Sequence, residues 1–139
     1  MIIVSNTSPL TNLATIGHFN LLNLLYGEVN ISTAVWEELS AHNQMWPGAN
    51  ETAEASWIIQ HPRLSSSLVH TLRRTLDDGE SESIALALEL HADLILLDDR
   101  DAREAAEAVG LNVVGVLGIL LEARSKDMIR EVHPSLDGR

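Results

Sequence analysis

Polar residues that can bind a metal ion or activate water follow two apolar runs of the chain. The β-branched run at residues 2 to 4 leads into Asn6, and the strand-like run at 93 to 99 ends on the pair Asp98 and Asp99. The carboxyl ends of parallel strands share one edge of a sheet, so these side chains are expected to emerge close together. Open α/β folds place their functional sites at this edge.

Two predicted helices carry further carboxylates. Glu37 and Glu38 belong to the helix that begins at residue 34, and Glu80 and Glu82 belong to the helix that begins near residue 80. If these groups converge with the strand ends, they repel one another unless a divalent cation neutralises them. Ligands that are all oxygen favour Mg²⁺ or Mn²⁺ over Zn²⁺.

Each carboxylate also has a structural explanation when it is taken alone. Acidic residues in the first turn of a helix complement its dipole, which accounts for Glu80. Glu37 and Glu38 fit the solvated face of an amphipathic helix, and the pair at 98 to 99 fits a helix N-cap. The structural explanation is weakest for that pair, because a buried strand gains nothing by running directly into two carboxylates.

Length and composition favour a single folded domain. The 139 residues suffice for one core, and we predict a domain at 1 to 130 followed by a polar tail at 131 to 139. The chain has no cysteine, which excludes disulfides, thiolate metal sites and a cysteine nucleophile. Its formal net charge of -11 argues against broad electrostatic binding to nucleic acid or to anionic membranes. Without a signal-peptide pattern or a membrane-spanning apolar stretch, we expect a cytoplasmic protein.

The element pattern predicts an α/β fold, a three-layer sandwich with a central parallel sheet flanked by helices. From residue 79 onward, helices alternate with continuous apolar strands, which is typical of a sheet covered on both faces. Gly17 is expected to divide the first helical segment in two, and Ser32 or Thr33 to cap the next helix. Predicted strands lie at 2 to 4, 28 to 32, 93 to 99 and 112 to 116, with a further one near 57 to 59.

Four segments together resemble a known family. They are "VSNTSPLTNLATIG", "AVWEEL", "DDGESESIALALELHADLILLDDRDAREAAEAVGL" and "VVGVLGILLEAR", in that order. This combination resembles the PIN-domain superfamily and, within it, the prokaryotic DUF3368 group related to VapC-type toxins. The resemblance extends from residue 2 to about residue 130.

The resemblance implies a PIN-like fold and an acidic cluster that binds Mg²⁺ or Mn²⁺ and hydrolyses single-stranded RNA. It also implies the toxin of a type II toxin–antitoxin module, with a small antitoxin protein as partner and a homodimer as the assembly. An alternative is a protein-interaction module with the same fold and a degenerate metal site.

The resemblance also assigns the site residues. It places the first acidic position on Asn6, the second on Glu38, the third on Glu80 or Glu82, and the fourth on Asp98 or Asp99. Glu80 is preferred because it shares a helical face with the apolar residues Ile84 and Ala87. The predicted catalytic set is Asn6, Glu38, Glu80 and Asp98, and the predicted metal ligands are Glu38, Glu80, Asp98 and Asp99.

Three residues are predicted to contact substrate. Thr7 and Ser8 supply hydroxyls after the first position, where they can orient a ligand or water. Arg100 follows the strand end and can contact phosphate, although pairing with a nearby carboxylate (Asp99, Asp101 or Glu104) is the favoured alternative.

Asn6 departs from the family pattern, which expects a carboxylate at this position. An amide oxygen coordinates weakly and carries no charge, so metal affinity is expected to be lower.

Overall fold

The strands form one parallel sheet. The structure, a computed structural model, describes residues 1–41 and 46–129. In that part of the chain the sheet has five strands in the order β3-β2-β1-β4-β5, and each neighbouring pair is parallel. The strands are β1 (Ile3–Ser5), β2 (Val29–Ser32), β3 (Ile58–His61), β4 (Leu94–Leu96) and β5 (Val113–Val114).

Helices connect the strands and cover both faces of the sheet. They are α1 (Thr7–Thr15), α2 (Leu21–Tyr26), α3 (Thr33–Ser40), α4 (Ala49–Glu54), α5 (Ser67–Leu72), α6 (Asp78–Glu89), α7 (Arg100–Ala108) and α8 (Val116–Ser125). None of the helices in the described ranges is both long and apolar enough to cross a membrane.

The core consists of two apolar clusters, one on each face of the sheet. The strand β4 shows the division clearly: Leu96 packs with one cluster, while Ile95 and Leu97 pack with the other. Successive side chains of a strand point to opposite faces, so a continuous apolar run is what a sheet covered on both sides requires. The predicted three-layer α/β sandwich is therefore confirmed.

Local sequence signals explain most element boundaries. Gly17, at φ +77°, separates α1 from α2 as predicted, and the Ser32 side chain caps α3 by accepting a hydrogen bond from the Val35 N–H. The sequence prediction did not include α5, and the strand predicted at 93 to 99 is shorter, because Asp98 and Asp99 lie beyond it. The tail predicted at 131 to 139 lies outside the described residues.

Candidate metal centre

Three oxygen atoms surround the backbone of Gly79 in the first turn of α6. A Cβ placed on Gly79 would lie 3.2 Å from Asn6 Oδ1, 3.4 Å from Glu38 Oε2 and 3.5 Å from Thr7 Oγ1. These oxygens come from the end of β1, the start of α1 and the middle of α3, so three elements converge on one point. We refer to Asn6, Thr7, Glu38 and Gly79 as the Gly79 cradle. Only a residue without a side chain leaves this space open.

Two oxygens of the cradle are buried without a partner. Asn6 and Thr7 are 4% and 5% exposed, and within the described part of the chain Asn6 Oδ1 and Thr7 Oγ1 have no hydrogen-bond partner. Burying a polar atom without a hydrogen bond costs free energy, and most such atoms in native proteins are satisfied by protein or by ordered water. Together with Glu38 Oε2, they offer three oxygen atoms on one side of Gly79 that a positively charged ligand would satisfy.

Glu80 borders the cradle and is held by the start of its own helix. Its Oε1 accepts a hydrogen bond from the Asp77 N–H, and Asp77 Oδ1 accepts one from the Glu80 N–H, which forms a capping box. Burial raises the pKa of Glu80, the hydrogen bond from the Asp77 N–H lowers it, and the negative charges of Asp77, Asp99 and Glu38 raise it, so that the pKa is raised overall. A carboxylate with a raised pKa among like charges is a group that a bound cation would stabilise.

Asp98 and Asp99 have different partners. Asp98 Oδ1 accepts a hydrogen bond from the Val116 N–H at 2.8 Å, and its Oδ2 accepts one from Asn12 at 3.1 Å. Asp98 therefore supplies the cap that α8 lacks, because the N-cap residue of α8 is Gly115. Asp99 caps α7 through the Ala102 N–H.

The two aspartates also differ in their effect on the pKa of Glu80. The charge of Asp99 is one of those that raise the pKa of Glu80. Asp99 uses one oxygen to cap α7, whereas both oxygens of Asp98 accept hydrogen bonds that hold helices, and which of the two would bind a metal ion stays a prediction.

Glu82 lies in a separate cluster that contains its own cations. Its side chain is fully buried, and Oε2 is 2.9 Å from Arg63 Nη1 and 3.5 Å from Arg73 Nη2. Its other oxygen, Oε1, accepts from the Ala34 N–H at 3.4 Å. Both arginines also contact Asp78, at 3.3 and 2.6 Å. We refer to Arg63, Arg73, Asp78 and Glu82 as the arginine cluster. Glu82 is already paired with two arginines, which favours Glu80 rather than Glu82 as the group available to a metal ion.

Comparison with known proteins identifies the family. A family model for DUF3368, described as a PIN domain, matches residues 2–138. The chain belongs to the DUF3368 family of PIN domains. PIN domains are commonly nucleases that use divalent metals. No match was found among curated proteins.

A solved structure shares the PIN-like fold. It is a PilT N-terminus domain protein from the hyperthermophilic archaeon Sulfolobus solfataricus, 19% identical, with a TM-score of 0.67. The similarity covers 96% of this chain and 98% of that one. At this level of identity the likeness supports the fold, and the chemistry of this PIN domain has to be argued from its own residues.

The donor set of the Gly79 cradle fits a divalent cation that prefers oxygen. It offers an amide oxygen, a hydroxyl and a carboxylate, and Glu80 and Asp99 add carboxylates nearby. Within residues 1–41 and 46–129, no three or more histidine, aspartate and glutamate side chains are grouped closely enough to hold a metal ion by themselves. A metal ion at this place would therefore need the oxygens of Asn6 and Thr7 as well as the carboxylates.

The predicted substrate contacts are placed differently from one another. Thr7 belongs to the cradle, whereas Ser8 is exposed on α1. Arg100 pairs with Glu104 at 3.3 Å on the exposed side of α7, which is the alternative favoured from the sequence.

The sequence analysis did not predict the role of Gly79 or the arginine partners of Glu82. The signal for Gly79 was a glycine in the first turn of a helix, two residues after the N-cap Asp77, where a helix former would otherwise be expected.

Proposed function

We propose that this PIN domain is an endoribonuclease that cleaves single-stranded RNA with Mg²⁺ or Mn²⁺ as cofactor. The observation that carries the proposal is the Gly79 cradle, in which two buried, unpartnered oxygens lie beside the Glu38 carboxylate within the described residues. Membership of a family of PIN domains supports the reaction class. A cation also reconciles a chain of net charge -11 with an anionic substrate.

The residues have distinct roles in this proposal. Glu38 supplies the carboxylate of the cradle and Asn6 a neutral oxygen, while Glu80 and Asp99 add negative charge nearby. The Thr7 hydroxyl is placed to orient a water molecule. A bound divalent cation lowers the pKa of a coordinated water and stabilises the charge that develops on the phosphodiester. Burial raises the pKa of Glu80, with smaller contributions from the charges of Asp77, Asp99 and Glu38, so a cation nearby would stabilise its charged form.

The biological setting proposed here follows from the family resemblance. We propose that the protein is the VapC-type toxin of a type II toxin–antitoxin module, acts in the cytoplasm as a homodimer, and is inhibited by a small antitoxin protein. A small open reading frame directly upstream in the genome would support this setting.

A second candidate function is a protein-interaction module whose metal site is too weak for catalysis. Asn6 favours this candidate, because it replaces a charged ligand with an amide at the end of β1. The buried, unpartnered oxygens favour the enzyme, because a site that had lost its ligand would gain stability by losing them as well.

Cleavage of a labelled single-stranded RNA separates the two candidates. We expect cleavage by the wild-type protein with Mn²⁺, none with EDTA, and none by Glu80→Gln. Glu104→Gln is the matched control, because Glu104 pairs with Arg100 on the exposed side of α7. Equal RNA cleavage with and without metal, or equal cleavage by wild type and Glu80→Gln, would contradict the proposed metal-dependent nuclease site. A folded wild-type protein that binds no Mn²⁺ and cleaves nothing would support the interaction module.

A further inference from the structure

Helices α3 and α6 meet at two levels, one turn apart. At the first level, the backbone of Gly79 on α6 faces Glu38 on α3. At the second level, Glu82 on α6 accepts a hydrogen bond from the N–H of Ala34 on α3. Glu82 is three residues after Gly79, and Ala34 is four residues before Glu38, so each pair is one helical turn from the other. The two contacts lie along one seam between the helices.

The arginine cluster fixes this seam. Glu82 is fully buried and holds the first turn of α3 directly. Arg63 ties the two helices together a second time, since it contacts Glu82 and Asp78 on α6 and also Glu37, the residue before Glu38 on α3. A planar guanidinium that contacts three carboxylates restricts how those carboxylates move relative to one another.

We infer that Glu82 and Arg63 are positioning residues for the metal centre, and that they set the distance of Glu38 from Glu80. This inference rests on the proposed metal site. Glu82 does not itself serve as a ligand, because both of its oxygens are occupied by Ala34, Arg63 and Arg73. Partners that orient metal ligands typically change metal affinity by 10- to 100-fold when they are altered.

The test is Mn²⁺ affinity, measured by electron paramagnetic resonance titration at low temperature on the full chain. Glu82→Gln keeps the size of the side chain and removes its charge. We expect its dissociation constant for Mn²⁺ to rise by about tenfold. Ile119→Val is the matched control, since Ile119 is fully buried on α8, outside the α3–α6 seam. This control lowers the melting temperature through the core, and its Mn²⁺ affinity should equal that of wild type.

Each outcome is decisive. A dissociation constant for Glu82→Gln within twofold of the wild-type value overturns the inference and leaves the metal site standing. Absence of Mn²⁺ binding by the wild-type protein overturns the proposed function and this inference with it. If Glu82→Gln does not fold, Arg63→Gln replaces it, because Arg63 is 41% exposed and its removal leaves Glu82 paired with Arg73. Arg63→Gln should also weaken Mn²⁺ binding, and unchanged affinity overturns the inference.

Discussion

Two groups of carboxylates flank the first turns of α6, and they are neutralised in different ways. In the arginine cluster, Asp78 and Glu82 contact the guanidinium groups of Arg63 and Arg73. At the Gly79 cradle, Glu38 and Glu80 have no cationic side chain as an ion-pair partner within the described residues. Carboxylates at the start of α6 thus take part in one cluster that has its own cations and in one that has none within the described residues.

The difference shows how the chain separates structure from function. A buried carboxylate that serves only the fold needs a permanent cation, and Glu82 has two arginines. A site for an exchangeable cation must leave its oxygens unpaired, which costs stability in the metal-free protein. The raised pKa of Glu80 and the unpartnered oxygens of Asn6 and Thr7 are the signs of that cost.

The largest expected effect comes from replacing the two aspartates that follow β4, one at a time, by asparagine. We expect Asp99→Asn to lower metal-dependent RNA cleavage by more than about 100-fold, since even partners of ligands affect metal sites by 10- to 100-fold. Asparagine still caps α7, so the variant should fold. Asp98→Asn should cost about 1 kcal/mol of stability through the start of α8 and leave cleavage close to wild type. If Asp98→Asn lowered RNA cleavage more than Asp99→Asn, Asp98 rather than Asp99 would be the metal ligand.

A smaller effect is expected when the amide of the cradle becomes a carboxylate. Asn6→Asp adds a charge close to Glu38 Oε2, so we expect Mn²⁺ affinity to rise by about tenfold, which is about 1.4 kcal/mol. In EDTA the same variant should melt at a lower temperature than wild type, because the added charge is repelled. Asn50→Asp, on the exposed side of α4, is the control for charge alone. Unchanged affinity in Asn6→Asp would place the metal elsewhere.

The smallest effect is on the pH dependence of metal-free stability. Because the pKa of Glu80 is raised above 4.5, its proton is bound more tightly in the folded state than in the unfolded state. This stabilisation is complete below the unfolded pKa and is lost as the pH rises through the folded pKa. Glu80→Gln should therefore gain stability relative to wild type between pH 4.5 and 7.5, measured by urea unfolding in EDTA. A constant difference across that range would show that the pKa of Glu80 is not raised in the folded protein.

The sequence predicts the fold better than it predicts the details of the site. Apolar strands and helix caps are local signals, so most of the sheet and Gly17 as a helix boundary were predictable. The local helical pattern favoured Glu80 over Glu82, but it could not show that Glu82 pairs with Arg63 and Arg73, which precede it by 19 and 9 residues. The choice between Asp98 and Asp99 depends on the start of α8, where Val116 N–H meets Asp98. Long-range partners of this kind leave no periodic trace in the sequence.

The most direct test of the central claim, that the open cradle binds a divalent cation, is the melting temperature of wild type and Gly79→Ala with EDTA and with Mn²⁺. The alanine methyl group would lie 3.2 Å from Asn6 Oδ1 and 3.4 Å from Glu38 Oε2, so it would crowd the oxygens of the cradle. Gly118→Ala, on α8 against Val114, controls for the added methyl group. We predict that Mn²⁺ raises the melting temperature of wild type and Gly118→Ala and leaves that of Gly79→Ala unchanged. An equal rise in wild type and Gly79→Ala, or no rise in wild type, would contradict the claim.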